Sequence, residues 1–235
     1  MTDTKSMSKG TDVQGGQPGS TYIRWGGLAA MLGPLLVLVA NVYLLWRDFG
    51  PGPDGVVEAA MTTPYVVFGG VRLLGGTLLV FGLVALYAYQ VEAAGRLGVV
   101  GFVVGMIGTV LLTGSAWFQL FVVPAMAAEV PAFTEAARAA ELGPLLATGL
   151  IIPILAQAVG WVIFGIATYR ARVFPRWVAV GVCAGSILLF VPIPGIPVVF
   201  QLAVASMGFL LFSGRLETPA QELDADPSQS ESIGG

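Results

Sequence analysis

The side chain with the most chemistry to offer is Arg72, in the stretch GGVRLLGG at residues 69–76, inside an otherwise apolar run. A guanidinium is permanently charged and presents five N–H donors in a planar fork that matches a carboxylate or phosphate. At the centre of a membrane helix an arginine costs roughly 2.5–3.5 kcal/mol. No Asp or Glu lies inside any apolar run, so its counter-charge is not a neighbour in the membrane. Gly69, Arg72 and Gly76 share one helix face, which is expected to leave room around the guanidinium. Two roles are open. The stem snorkels, or bonds backbone carbonyls. Alternatively, it faces an outward-facing polar pocket and takes a carboxylate or phosphate from a ligand.

Other polar residues fall where such a pocket would need them. Asn41, Ser115, Gln119, Thr148 and Gln201 lie in the outer halves of their apolar runs, and Gln157 lies on a face with Gly149, Pro153 and Gly160. The third run carries a stripe at Gly98, Gly101, Gly105, Gly108, Leu112, Ser115 and Gln119, whose steps of three and four put it on one helix face. Glycines in such a stripe let a neighbouring backbone approach, so the stripe reads first as a packing seam. Pro153 frees a carbonyl deep in the fourth run, and Gln157 is expected to bond another helix, a contact worth about 0.6 kcal/mol on average. With Arg72 these residues form the candidate ligand-binding set: Arg72, Asn41, Ser115, Gln119, Thr148, Gln157 and Gln201.

Most catalytic chemistry is excluded by composition. The chain has no histidine, which removes bis-His haem, His-ligated zinc and Ser-His or Cys-His nucleophile pairs. Its one cysteine, Cys183, permits no intrachain disulfide. Every carboxylate lies in a tail or loop, so an intramembrane acid pair or proton relay is absent. Both lysines, Lys5 and Lys9, are near the N-terminus, and no phosphate-binding glycine loop with a lysine occurs. The sequence therefore reads as a non-enzyme that needs no metal or cofactor.

The elements that must position these residues are membrane helices. Hydrophobic residues make up 56% of 235 and charged residues 11%, with a mean hydropathy of +0.83; soluble proteins carry about 25% charged residues. Apolar runs near 25–46, 65–90, 97–123, 143–168, 177–192 and 196–213 predict an all-α, polytopic bundle of six spans. The first is too long for a secretory signal. Residues 1–23 read as a disordered polar tail, 24–213 as the transmembrane domain and 214–235 as a disordered acidic tail. Prolines in VPIPGIP, residues 191–197, interrupt the last two runs, giving a tight hairpin or, alternatively, part of a re-entrant segment.

Orientation follows from basic residues. With the N-terminus inside, Lys5, Lys9, Arg24, Arg96, Arg170, Arg172, Arg176 and Arg215 are inner, and Arg47 and Arg138 outer. Both tails are then cytoplasmic. Tyr22, Trp25, Tyr87, Tyr89, Tyr169 and Trp177 mark the inner interface, and Tyr43, Trp46 and Tyr65 the outer one. Counting back about 20 residues from the inner belt puts Arg72 only about 3–6 Å below the outer boundary, within snorkelling reach. Trp117 and Trp161 lie deeper and need partners for their N–H groups. A weak internal repeat pairs spans two and three with spans four and five, aligning Gly101 and Gly105 with Gly181 and Gly185.

The segments GLVALYAYQVEAAGRLGVVGFVVGMIGT, AWFQLFVVPAMA and GWVIFGIATYRARVFPRWVAV, with their AGRLG and FPRW turns, resemble uncharacterised multi-pass membrane proteins of bacteria and archaea over about residues 65–190. The resemblance implies a helical bundle and no activity. The leading expectation is a plasma-membrane protein that binds or translocates a lipid or a small anionic or amphiphilic molecule. The alternative is a non-catalytic structural subunit that docks a partner membrane protein through its glycine-rich faces. Expected partners are membrane lipids, and either another membrane protein or further copies of the chain; nothing suggests nucleic acid.

Overall fold

A computed structural model describes residues 18–46, 59–130, 132, 135, 144–189, 197–214 and 216. The described residues are helical, with no strand among them. The main elements are α1 (Pro18–Trp46), α2 (Thr63–Trp117), a π-helical turn (Phe118–Val122), α3 (Val123–Glu129), α4 (Pro144–Ala171), α5 (Arg176–Leu188) and α6 (Pro197–Ser213). Three stretches are long and apolar enough to cross a membrane, Thr21–Tyr43, Thr63–Glu129 and Ile151–Ala171; Arg176–Leu188 and Val198–Ser213 are shorter apolar helices. Residues 190–196 of the connection between the last two runs, the residues from 217 onward and the outer loop residues Arg47 and Arg138 lie outside the described residues. Helix α1 begins at Pro18, inside the stretch expected as tail, because proline's fixed φ suits a first helical turn whose N–H groups lack intrahelical partners.

Helix α2 is not one straight rod. Gly95 has φ 56° and ψ −155°, a conformation that side chains with a Cβ rarely adopt, and the chain reverses there. The arms before and after Gly95 run antiparallel. Tyr87 stacks on Phe102 with ring centroids 4.3 Å apart, Gly76 faces Thr113, and Gly69 faces Leu120. They correspond to the expected runs 65–90 and 97–123. The second reversal lies between α4 and α5. Arg172 takes the left-handed position that ends α4 (φ 57°), with its N–H on the Thr168 carbonyl at 3.2 Å. Pro175 then caps α5.

Glycines stitch each rod to the next. Gly26, Gly33, Gly75 and Gly82 lie between α1 and the first arm of α2. Gly101, Gly105, Gly108 and Gly160 join the second arm to α4, Gly165 faces Cys183 of α5, and Gly181 and Gly185 face Ala203 and Phe200 of α6. Gly27 and Gly208 return α6 to α1. In each seam residue numbers rise on one rod as they fall on the other, so neighbours are antiparallel. The result is a closed up-and-down ring of six rods, counting α2 twice. The Gly95 and 172–175 reversals, the start of α1 and the end of α6 share one end, here termed the turn face.

The ring inverts the soluble pattern. Gly98, Gly101, Gly105 and Gly108 are buried, while Val99, Val103, Ile107 and Val110 on the same helix are exposed. With no hydrophobic force between helices in lipid, close backbone approach holds the rods, and branched side chains face outward. The interior is filled from the middle to the turn face by Leu79, Leu83, Leu86, Trp161, Phe164, Val178 and Met207.

Candidate functional site

In the half of the ring away from the turn face the interior is not filled. A partly open cavity of about 230 Å³ lies there, just under the ~300–1,000 Å³ usual for small-molecule pockets. Five of the six rods and the residue that follows the sixth line it: Asn41 from α1, Arg72 and Gly76 from the first arm of α2, Thr109 and Thr113 from the second, Gln157 from α4, Gln201 from α6, and Leu189 just after α5. The remaining wall is largely aliphatic, with Val37, Leu112 and Ile154 among it. Four candidate residues, Arg72, Asn41, Gln157 and Gln201, thus meet at one space although they come from four separate helices.

Arg72 forms part of the wall between this cavity and a small neighbouring void lined by Tyr65, Gly69, Ala116, Gln119 and Leu120. Its Nη1 donates to Gln119 Oε1 at 3.3 Å, and Gln119 Nε2 donates to Ser115 Oγ at 3.2 Å. Gln119 and Ser115 therefore act behind the arginine, in the second rod of the hairpin. The expected space around the guanidinium is partly taken up: a Cβ on Gly69 would meet Leu120 Cδ1 at 2.9 Å, and one on Gly76 would meet Thr113 Oγ1 at 2.8 Å. These glycines bring the second arm close; Gly76 alone of the two also lines the cavity.

The π turn explains how Gln119 is held. Pro124 has no N–H and its ring clashes with a carbonyl one turn back, so a regular helix cannot run through it unchanged. The helix widens, and the Val123 N–H bonds Phe118 O, five residues back. The Gln119 carbonyl loses its usual partner, Val123, and its π-type partner would be Pro124. The Tyr65 hydroxyl donates to that freed carbonyl at 3.3 Å. Tyr65 belongs to this site but was not among the expected residues; Pro124, five positions after Gln119, was the available signal.

The cavity floor is a buried polar knot. Trp161, 0% exposed, donates Nε1–H to Thr109 Oγ1 at 3.2 Å. Thr109 Oγ1 lies 2.7 Å from the Gly105 carbonyl and 2.8 Å from Gln157 Oε1, and its single proton serves these two acceptors. Gln157 thus bonds a neighbouring helix, and the deep tryptophan has its partner. Below, Trp161 packs edge-on against Phe200 and Phe164, with centroids 5.1 and 5.6 Å away.

Gln201 is 6% exposed, lines the cavity, and its Oε1 has no hydrogen-bond partner among the described residues. Thr148 does not line the cavity; it is exposed on α4. Among the described residues no group of three or more His, Cys, Asp or Glu is placed to hold a metal ion. The cavity therefore offers one fixed positive charge, several amides, two threonine hydroxyls and aliphatic walls. Comparison with known families, curated proteins and solved structures finds no match to this chain.

Proposed function

We propose that this is a six-span plasma-membrane protein, with the turn face and both tails cytoplasmic, that binds a small anionic amphiphile in an outward-facing cavity around Arg72. The single observation carrying the reading is the convergence of Arg72, Asn41, Gln157 and Gln201 from four helices on one partly open space. Each arm of α2 supplies one span. The basic residues Arg24, Arg96, Arg170, Arg172 and Arg176 all lie toward the turn face, as the positive-inside rule requires of a cytoplasmic side. The cavity lining contributes hydrogen-bond donors and an apolar wall, which supports a binding role.

The arginine's fork fits a carboxylate or a phosphate monoester, and the aliphatic wall fits a short hydrocarbon segment. That chemistry is shared by free short-chain acids and by lipid headgroups. The test is a titration of the purified protein with hexanoate, hexyl phosphate and hexylamine, read from tryptophan fluorescence, with native mass spectrometry of the lipids that co-purify. The two anions are expected to bind and the amine not to. Arg72→Gln should weaken anion binding roughly 10–100-fold, the worth of a charge-assisted hydrogen bond. Anionic lipids lost on the same substitution would identify a headgroup as the natural source; unchanged lipids with weakened hexanoate binding would identify a free acid. Equal anion affinity in wild type and Arg72→Gln would refute the proposal. The glycine seams that could have docked a partner protein are occupied by the chain's own rods, so a purely structural subunit draws less support.

A further inference from the structure

The cavity occupies one half of the ring's interior. The half toward the turn face is packed, yet it contains Gln90, which is 1% exposed and whose Nε2 and Oε1 both lack a hydrogen-bond partner among the described residues. Thr168, also buried in this half, is satisfied locally: its hydroxyl bonds the Phe164 carbonyl at 2.9 Å. An amide buried with neither end paired is destabilising, and leucine would fill a similar volume without that penalty.

The position of Gln90 gives the amide a meaning. Arg72, Gly76, Leu79, Leu83, Leu86 and Gln90 follow steps of four and three, so they form one stripe along the first arm of α2. The stripe begins at the cavity's charge, crosses the apolar layer and ends at the orphan amide. The two polar ends are 18 residues apart, about 27 Å along a helix. Beside Gln90, Tyr89 packs edge-on against Phe174 at 5.8 Å and its hydroxyl donates to Leu216 O at 3.4 Å, tying α2 to the α4–α5 turn and to the segment after α6.

We infer that the protein translocates its ligand, and that Gln90 lines the interior of a second state, open at the turn face, in which its amide is hydrated or bonded to the ligand. The inference rests on the binding reading above. In the present state the layer of Leu83, Trp161 and Phe200 closes the route in the middle, and the Tyr89, Phe174 and Leu216 contacts close it at the turn face. Opening those contacts while the far side closes moves a small anion from Arg72 along the stripe.

Thiol accessibility tests this without knowledge of the natural ligand. In a Cys183→Ser background, Gln90→Cys is reconstituted into sealed vesicles and treated with a charged, membrane-impermeant methanethiosulfonate from either side. Ala179→Cys, at a 0% exposed position in the α4–α5 seam, reports the rate that only general loosening allows. Gln90→Cys should react at least ~10-fold faster than Ala179→Cys, and from the turn face alone. Equal rates would overturn translocation and leave anion binding at Arg72, measured on the same vesicles, standing. Gln90→Leu gives a second reading if the cysteine variant does not fold. It should raise the melting temperature and abolish uptake of hexyl phosphate into vesicles while its binding persists. A Gln90→Leu protein that takes up hexyl phosphate at the wild-type rate would also overturn the inference.

Discussion

The two halves of the ring's interior are built from the same six rods and differ in what fills them. In the half away from the turn face, polar side chains from four helices surround open space. In the half toward the turn face, large apolar side chains interlock and one unpaired glutamine is enclosed. The glycine seams continue through both halves, from Gly26 against Ala85 near the turn face to Gly108 against Gln157 beside the cavity. The backbone scaffold is therefore alike, and the contrast is a matter of side-chain volume and polarity. A ring of closely packed rods does not by itself leave a cavity; this one has it because small or polar residues replace bulky apolar ones on the inner face at one end.

Removing the boundary between the halves should have the largest effect. Trp161→Ala deletes the largest fully buried side chain among the described residues and joins the cavity to the packed half. A loss of about 3–5 kcal/mol is expected, the usual cost of deleting a large buried aromatic, measured as reduced resistance to denaturation in mixed micelles. A loss below about 1 kcal/mol would mean the layer is not a structural boundary. Next comes the charge. Arg72→Lys keeps the positive charge but loses the planar fork, so hexyl phosphate should bind more weakly than to wild type and more tightly than to Arg72→Gln, by isothermal titration. Affinity equal to wild type would make the site a point charge with no bidentate recognition.

Smaller effects sharpen the contrast further. Thr109→Val removes the hydroxyl that serves both Trp161 and Gln157. Leaving a buried indole N–H without its acceptor should cost about 1–3 kcal/mol, read as a lower thermal midpoint. The smallest expected change lies at the turn face. Arg172 holds a left-handed conformation that glycine adopts without penalty. Arg172→Gly should therefore stabilise the fold by up to about 1 kcal/mol and leave anion binding in the opposite half unchanged. A change in binding would show that the two ends are coupled through α4.

Much of this scaffold was legible in the sequence, and the reasons are specific. The apolar runs 65–90 and 97–123, with the AGRLG turn between them, located the hairpin of α2; the structure places the reversal on Gly95, a residue free to take positive φ. Steps of three and four identified the face carrying Gly101, Gly105 and Gly108, which the structure packs on α4. Arg72 could be singled out because its charge is costly in lipid. Its surroundings could not be read, since which helix faces Arg72 depends on ring closure between α6 and α1, a contact between residues far apart in sequence. Gly69 and Gly76 were expected to leave space and instead admit Leu120 and Thr113. Tyr65 was missed because its partner is a backbone carbonyl freed by the π turn at Pro124. Gln90 carried no signal of its own: a glutamine beside the turn AGRLG reads as an interfacial residue until the structure buries it.

The binding claim is tested most directly by an experimental structure with 6-bromohexanoate, located by the anomalous scattering of bromine. The carboxylate should sit on the Arg72 guanidinium, with the bromine inside the cavity among Val37, Leu112 and Ile154. An apolar groove of about 510 Å³ between α1 and α2, lined by Trp25, Ala29, Leu78 and Phe81 among others, provides the competing location on the outer surface. Bromine found only in that groove, with the Arg72 cavity holding no ligand density, would contradict the account.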